Sequence, residues 1–303
     1  MILGIDVGGT TVKFGIVSPE GEITHIKDFN THHWAEEGFV DALKAAIAGY
    51  LEELPGIKGV GIGWPGLLSV DRRTVILLPN IPSVVNLPVV DMLEQAFPQL
   101  TIRIENDAKC AALGELYFGG DKELDNFILV AMGTGVGSGV IINKKIFLGA
   151  RGNGTEIGHM LSREGKTVEQ HLGLNQIIEF TRKKLELDKS NTSILHGHEI
   201  TPKEVYEAAK KGDELALSVW EHVGTILGEN LVSVIRVLDL NTILLGGGVA
   251  GAFEFIAPAA KKVLLNRLPA YYTDTLTIRK AVLTNKVGLL GAAGLLMSEE
   301  VFQ

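Results

Sequence analysis

A chain of 303 residues, 46% hydrophobic and 21% charged, has the composition of a soluble globular protein and enough length for two domains. A formal net charge of −8 with no basic run argues against nucleic acid or an anionic membrane as partner. Cysteine occurs once, at Cys110, which excludes an internal disulfide and any multi-cysteine metal site.

The opening Met1-Ile2-Leu3-Gly4-Ile5-Asp6 does not read as a signal peptide, since it lacks a basic n-region and has an acid inside its apolar run. No apolar stretch is long enough to span a bilayer. The expected location is therefore cytoplasmic. Residues 2–7 and 11–17 are apolar runs around Gly8-Gly9-Thr10, a hairpin with a tight turn. Residues 22–29 suit a third strand. Residues 35–54 carry Phe39, Leu43, Ile47 and Leu51 at helical spacing. A short strand over 57–63 runs into the loop signal Trp64-Pro65-Gly66. A helix over 87–97, a strand over 101–105 and an Ala-rich helix complete an order that predicts an α/β fold, a mixed sheet with helices on its faces. The pattern then restarts. Strands over 126–132 and 136–142 flank Gly133-Thr134-Gly135, as the first pair flanks Gly8-Gly9-Thr10, which hints at two related domains. After a loop-rich 145–173, helices are expected over 175–185, 202–211 and 214–237. A strand over 242–245 leads into Gly246-Gly247-Gly248. A helix over 252–264, a strand over 276–280 and a last apolar helix over 288–297 end the chain.

Glycine-rich turns thus follow apolar strands at Gly8-Gly9-Thr10, at Gly133 to Gly139 and at Gly246-Gly247-Gly248. Glycine lets backbone N–H groups approach an anion, and Thr and Ser add hydroxyl donors, so together these turns point to phosphate. The P-loop pattern G-x-x-x-x-G-K-[ST] is absent. The glycine spacing from Gly133 to Gly139 suits a hairpin better than a dinucleotide-binding turn. Asp6 precedes the first turn within an apolar strand. It either meets a cation, with nucleotide-bound Mg²⁺ the natural candidate, or bonds the next backbone amides as a turn former. Lys13 either reaches a phosphate or is a solvated strand lysine. Asn106-Asp107, between a strand and a helix, is either a helix cap or a carboxylate aimed into a cleft. Glu156 and His159 lie three apart, with Glu169 beyond. Carboxylates and an imidazole in a Gly-rich loop suit several vicinal hydroxyls. A metal site or plain surface polarity are the alternatives, and the spacing matches no zinc pattern.

In Gly4 to Lys13, Asn106-Asp107-Ala108, Gly133 to Gly139, Gly154-Thr155-Glu156-Ile157-Gly158-His159 and Gly246 to Gly248 the chain resembles the ROK family of sugar kinases, near the bacterial glucokinases. The resemblance spans almost the whole chain in the family's order. It implies the actin-like ATPase fold of two RNase H-like domains, with ATP and sugar in the cleft between. The smaller domain would be residues 1–112 plus a returning 289–303, and the larger 113–288. It implies that Asp107 is the general base and that Gly66, Asn80, Asn106, Glu156, His159 and Glu169 hold the sugar. Asp6, Gly8, Gly9, Thr10, Lys13, Gly133, Thr134 and Gly135 fall on phosphate and Mg²⁺ positions, and Gly247 and Gly248 beside the nucleoside. Many members carry a Cys-x-Cys-Gly-x-x-Gly-Cys-x-Glu zinc loop after the Gly-His pair. Here residues 162–171 keep only the closing Glu169, so no structural zinc is expected. His171 is a possible replacement ligand without evident partners. The expected reaction is ATP-dependent phosphorylation of the 6-hydroxyl of a hexose, glucose first. The alternatives are an N-acetylhexosamine kinase, a polyphosphate-using kinase and a sugar-responsive ROK transcription regulator, the last disfavoured because the phosphate strand begins at Ile2. A non-catalytic sugar binder should have lost Asp6 or Asp107, and has lost neither. A homodimer is likewise implied by resemblance.

Overall fold

The computed structural model describes residues 1–78, 84–297 and 301–302. In chain order the elements are β1 (Ile2–Val7), β2 (Thr11–Val17), β3 (Ile23–Asn30), α1 (Thr31–Glu37), α2 (Phe39–Glu53), β4 (Gly59–Trp64), β5 (Leu67–Leu68), β6 (Val75–Leu77), β7 (Val85–Leu87), α3 (Val89–Ala96), β8 (Thr101–Asn106) and α4 (Asp107–Phe118). There follow β9 (Phe127–Met132), β10 (Val136–Ile142), β11 (Lys145–Ile146), α5 (Glu169–Leu172), α6 (Leu174–Leu187), α7 (Pro202–Lys210), α8 (Glu214–Leu238), β12 (Thr242–Gly246), α9 (Phe253–Arg267), α10 (Ala270–Thr273), β13 (Thr277–Lys280) and α11 (Val287–Gly294). Two five-stranded sheets carry the architecture, ordered β3-β2-β1-β4-β8 and β11-β10-β9-β12-β13. In the first, β1 is antiparallel to β2 and parallel to β4, and β4 is parallel to β8. In the second, β12 is parallel to both β9 and β13, and β10 is antiparallel to β11. The two sheets therefore repeat one topology, and each repeat sets a Gly-Thr turn between its first and second strands. Strands β5, β6 and β7 form a small separate sheet. Among the described residues no helix is long and apolar enough to cross a membrane.

The chain divides into two compact units, the first of residues 1–125, 139–155 and 282–303, the second of residues 126–138 and 156–281. Within the first unit α4 packs along α11, in one close-fitting helix pair. In that unit the two faces of the sheet differ. Leu3, Ile5 and Val7 on β1 join Phe14, Ile62 and Trp64 in a large apolar layer closed by Phe39, Leu43, Ile47 and Tyr50 of α2. On the other face Gly15, Gly4 and Gly61 stand side by side on three neighbouring strands. That row has no side chains, so α11 lies directly on the sheet. A Cβ on Gly4 would lie 2.5 Å from the Leu289 carbonyl oxygen. One on Gly61 would lie 2.7 Å from the Ala292 carbonyl carbon, and closer to its oxygen. The same economy joins α11 to α4: a Cβ on Gly114 would lie 3.1 Å from Gly291 N, and Ala111 and Ala112 are buried beside it. Cys110 is buried in this helix pair as a small core residue, its thiol pushed well above the usual range by burial.

The expected helix over 35–54 is two helices. Gly38, at φ 108°, separates α1 from α2, and Asn30 caps α1 through its side chain. The helix expected from residue 87 starts at Val89 behind Pro88, because 85–87 belong to β7. In the second unit α8 is capped by Asp213, whose Oδ1 accepts from Ala216 N at 2.8 Å, and ends at Asp239 in the left-handed region. Gly224 and Gly228 let α9 approach α8 closely, with a Cβ on Gly228 only 2.7 Å from the Ala260 carbonyl oxygen.

Candidate active site

In the first unit the candidate residues gather at the C-terminal ends of the parallel strands, where ligands of open α/β sheets bind. Strand β8 delivers Asn106 and Asp107. Asn106 is buried, and its Oδ1 accepts from Ala108 N at 3.0 Å and Lys109 N at 3.3 Å, which caps α4. Asp107 opens that helix, stays exposed, and accepts from Ala108 N at 2.8 Å through Oδ1. Cap and outward-facing carboxylate are thus adjacent residues of one structure. A helix N-terminus is also a favourable seat for negative charge. Asn106 Nδ2 donates to the Gly66 carbonyl at 3.5 Å, and Gly66 sits at φ 104°, a conformation that favours glycine. Asn80 lies outside the described residues.

Asp6 is at the end of β1, two residues before the turn. It is the register partner of Lys13 on β2, so the two side chains share a sheet face. Burial raises the Asp6 carboxyl above its ordinary range, and Lys13 partly opposes that. A Cβ on Gly288, in the first turn of α11, would lie 3.0 Å from Asp6 Oδ1 and closer to Oδ2. The turn itself is held by Gly8 N donating to the Thr11 carbonyl at 2.9 Å, with Thr31 Oγ1 donating to the Gly8 carbonyl at 2.9 Å. Thr10 at its tip is exposed.

In the second unit, the remaining candidates collect around the Gly133-Thr134-Gly135 turn and the start of β10. Gly133 N donates to the Gly135 carbonyl at 2.8 Å, and Thr134 is exposed. Glu169 Oε2 accepts from Val136 N at 2.9 Å. Its carboxylate packs on Gly135, where a Cβ would lie 3.1 Å from Glu169 Cδ. Glu169 is therefore tied to the Gly133-Thr134-Gly135 turn. Ile157 N donates to Ser138 Oγ at 3.2 Å, and a Cβ on Gly158 would lie 3.0 Å from the Val136 carbonyl carbon. Those contacts pin a short 3₁₀ turn closed by His159 N donating to the Glu156 carbonyl at 3.1 Å, with His159 exposed. Gly247, at φ 80°, nestles on β9, where a Cβ would lie 2.7 Å from the Met132 carbonyl carbon. The Gly246 to Gly248 turn and the Gly133 turn are consequently neighbours.

Residues 160–168 form a polar hairpin that leads into α5. Ser162 N donates to the Lys166 carbonyl at 2.7 Å, and Val168 N to the Met160 carbonyl at 3.0 Å. Arg163 Nε donates to Glu229 Oε2 on α8 at 2.6 Å, and Asn230 Nδ2 to Ser162 Oγ at 2.9 Å. His171 Nε2 lies 3.0 Å from the Arg163 carbonyl oxygen, which occupies that ring nitrogen. This network anchors the segment that carries Glu169. Arg163, Glu229, Gly288, Arg72 and Glu105 were not candidates from the sequence, although Gly288, Gly291 and Gly294 recur every third residue.

The ROK family model matches residues 2–299. The chain belongs to the ROK family. A glucokinase from Halalkalibacterium halodurans is 30% identical, the match covering 98% of this chain and 95% of that protein. A crystal structure from Cytophaga hutchinsonii is 57% identical with TM-score 0.96, covering 98% of this chain and 100% of the other. A ROK glucokinase from Streptomyces griseus, solved with glucose and AMPPNP, is 30% identical with TM-score 0.77 over 97% of this chain and 98% of its own. The fold of this ROK protein is the actin-like ATPase fold, which accounts for the repeated sheet order.

Proposed function

We propose that this sugar kinase transfers the γ-phosphoryl group of ATP to the 6-hydroxyl of a hexose, glucose first. The observation that carries the reading is the exposed Asp107 carboxylate at the end of β8, fixed at the mouth of α4 by the Asn106 cap. Such a group can orient a hydroxyl and take its proton as the phosphoryl group transfers. Phosphoryl transfer asks the protein mainly for positioning and charge stabilisation, so an ordinary carboxylate suffices. The glucose and AMPPNP bound by the Streptomyces griseus relative support a hexose and an adenine nucleotide as the substrate pair.

Asn106, Gly66, Glu156, His159 and Glu169 are read as the sugar's partners, together with Asn80. Glu169 commits one oxygen to Val136 N, which leaves Oε1 for a sugar hydroxyl. The amides and hydroxyls at Gly8-Gly9-Thr10 and Gly133-Thr134-Gly135, with Lys13, are read as phosphate donors. Gly247 and Gly248 are read as lying beside the nucleoside, with open space where a Cβ on Gly248 would stand. The residues at β1 fit magnesium. Asp6 is a hard oxygen donor whose charge burial disfavours, so it gains from a cation beside it. That suits Mg²⁺, which keeps several waters and shares itself between a carboxylate and substrate phosphates. When bound it neutralises charge on the transferring group. Asp6 would hold it, and Lys13 would add its own charge on the same face. The protein is read as cytoplasmic, where ATP is supplied, and as a homodimer, which light scattering of the purified chain tests.

The test of the function is a coupled assay with glucose, mannose, fructose, N-acetylglucosamine and N-acetylmannosamine, each with Mg-ATP and with polyphosphate. ATP-dependent glucose 6-phosphate formation is expected. Turnover of an N-acetylhexosamine alone, or with polyphosphate alone, would replace the substrate or the donor. No turnover with any pair would overturn the kinase reading.

A further inference from the structure

Arg72 is a charged side chain turned inward. It sits at φ 57° in the turn between β5 and β6 and is only 7% exposed. The turn that presents it is tightly made: Arg72 N donates to the Ser69 carbonyl at 3.0 Å, and Ser69 Oγ accepts from Thr74 N at 2.9 Å. Its guanidinium uses three arms. Nε donates to Glu105 Oε2 at 2.7 Å, Nη1 to the Ser69 carbonyl at 2.9 Å, and Nη2 to the Gly152 carbonyl. Glu105 has no exposed surface, and its other oxygen accepts from Asn106 N at 2.7 Å. Beside Gly152, the Asn153 amide pairs with both backbone groups of Leu68, accepting from its N at 3.3 Å and donating to its carbonyl at 2.8 Å. One guanidinium therefore joins three segments far apart in sequence, within the first unit. These are the 69–74 turn, the peptide preceding Asp107, and the glycine loop that leads to Glu156.

We propose that Arg72 is a positioning residue for phosphoryl transfer, acting through Glu105 on the Asn106 amide, one residue before Asp107, and directly on the Gly152 loop. The proposal rests on the kinase reading of Asp107. The geometry favours this over a mere stabilising pair. A buried Arg–carboxylate pair is seldom more stabilising than the apolar residues that could replace it, whereas its fixed fork specifies direction. Two of the three arms reach segments beside the candidate residues: Nε holds Glu105, whose other oxygen holds Asn106 N, and Nη2 holds the Gly152 carbonyl. Glu105 in turn fixes the amide immediately before the cap. Burial pushes the Glu105 carboxyl up, and Arg72, the Asn106 amide and Lys109 pull it back, so the junction depends on all of its partners.

Two variants separate positioning from stability. Arg72→Lys keeps a charge but loses the fork. Arg72→Met with Glu105→Met removes the Arg–carboxylate pair together, so that neither of the two is left facing the other's absence. Steady-state kinetics on the sugar that the wild type phosphorylates is paired with amide hydrogen exchange over residues 105–109 and 151–154. In both variants we expect kcat to fall about tenfold to a hundredfold, the loss typical of a catalytic group displaced by about 1 Å. The KM for ATP should hold within about twofold. Amides at 105–109 should exchange roughly tenfold faster. Wild-type kcat in the folded double variant would overturn the proposal, as would unchanged exchange in Arg72→Lys. Should the wild type phosphorylate no sugar, the kinase reading fails and the exchange result alone decides whether the latch holds the peptide. Should Arg72→Lys fail to fold, the double variant decides.

Discussion

Gly288→Ala is a small change that should separate stability from activity. Gly288 is the second residue of α11 and has no positive φ, so alanine fits its backbone. Helix propensity alone makes the substitution stabilising by about 1 kcal/mol. The added Cβ would lie 3.0 Å from Asp6 Oδ1 and closer to Oδ2. Unstrained carbon contacts begin near about 3.5 Å, so the carboxylate must move by about 1 Å. The atoms in the way are the end of a side chain, not backbone, so that shift is cheap, and propensity offsets it. The thermal midpoint should stay within about 3 °C of wild type, at about 2–4 °C per kcal/mol for a chain of this size. The moved group is the one assigned to magnesium and phosphate. A displacement of about 1 Å in a catalytic constellation costs about a hundredfold. A coupled kinase assay over a range of Mg-ATP should show kcat/KM for ATP lower by about that factor. Sugar affinity, read by calorimetry without nucleotide, should hold. Gly251→Ala, with open space around its Cβ, is the control. Wild-type ATP kinetics in Gly288→Ala would refute the assignment of Asp6 and the close fit of α11 upon it.

Gly61→Ala makes the opposite case. Its Cβ would meet the backbone of Ala292, which cannot swing aside, so the midpoint should drop by the equivalent of about 1–3 kcal/mol in thermal unfolding. Asp6→Asn should raise the midpoint at neutral pH while abolishing turnover. The folded state holds the Asp6 proton more tightly than the unfolded chain does. The group's contribution to stability thus falls as pH rises from the ordinary 3.8 through the folded value, and the gain in the variant should vanish below that window in a pH series of melting curves. Arg163→Ala breaks a partly exposed pair and should cost no more than about 1 kcal/mol. It should still raise the KM for sugar in the same coupled assay, because the hairpin it anchors leads into Glu169.

Strand-turn-strand repeats, glycine turns and the Asn106-Asp107 junction were legible because each is local: a few consecutive residues state both the backbone geometry and its chemistry. The repeat of Gly8-Gly9-Thr10 at Gly133-Thr134-Gly135 hints at two related domains, and the two five-stranded sheets share one strand order. What could not be read is long-range. Gly38 splits a helix whose apolar spacing runs on through it, and spacing carries no record of a positive φ. The small β5-β6-β7 sheet has strands of two or three residues, too short for an alternation to register. Arg72 and Gly152 are eighty residues apart, and nothing near either predicts the other. Gly288 looks like helix packing until the fold brings Asp6 against it. The family resemblance makes Glu169 a sugar ligand. Its bond to Val136 N adds a structural duty that the sequence could not reveal.

The central claim, that Asp107 is the base, is tested most directly by Asp107→Asn assayed for turnover and sugar binding together. Asn keeps an oxygen for the Ala108 amide, so the cap region should stay folded. If Asp107 is the base, kcat falls by about 10²–10⁴-fold or to nothing, while the sugar Kd by calorimetry stays within about tenfold. Lost sugar binding with turnover persisting at saturating sugar would contradict it.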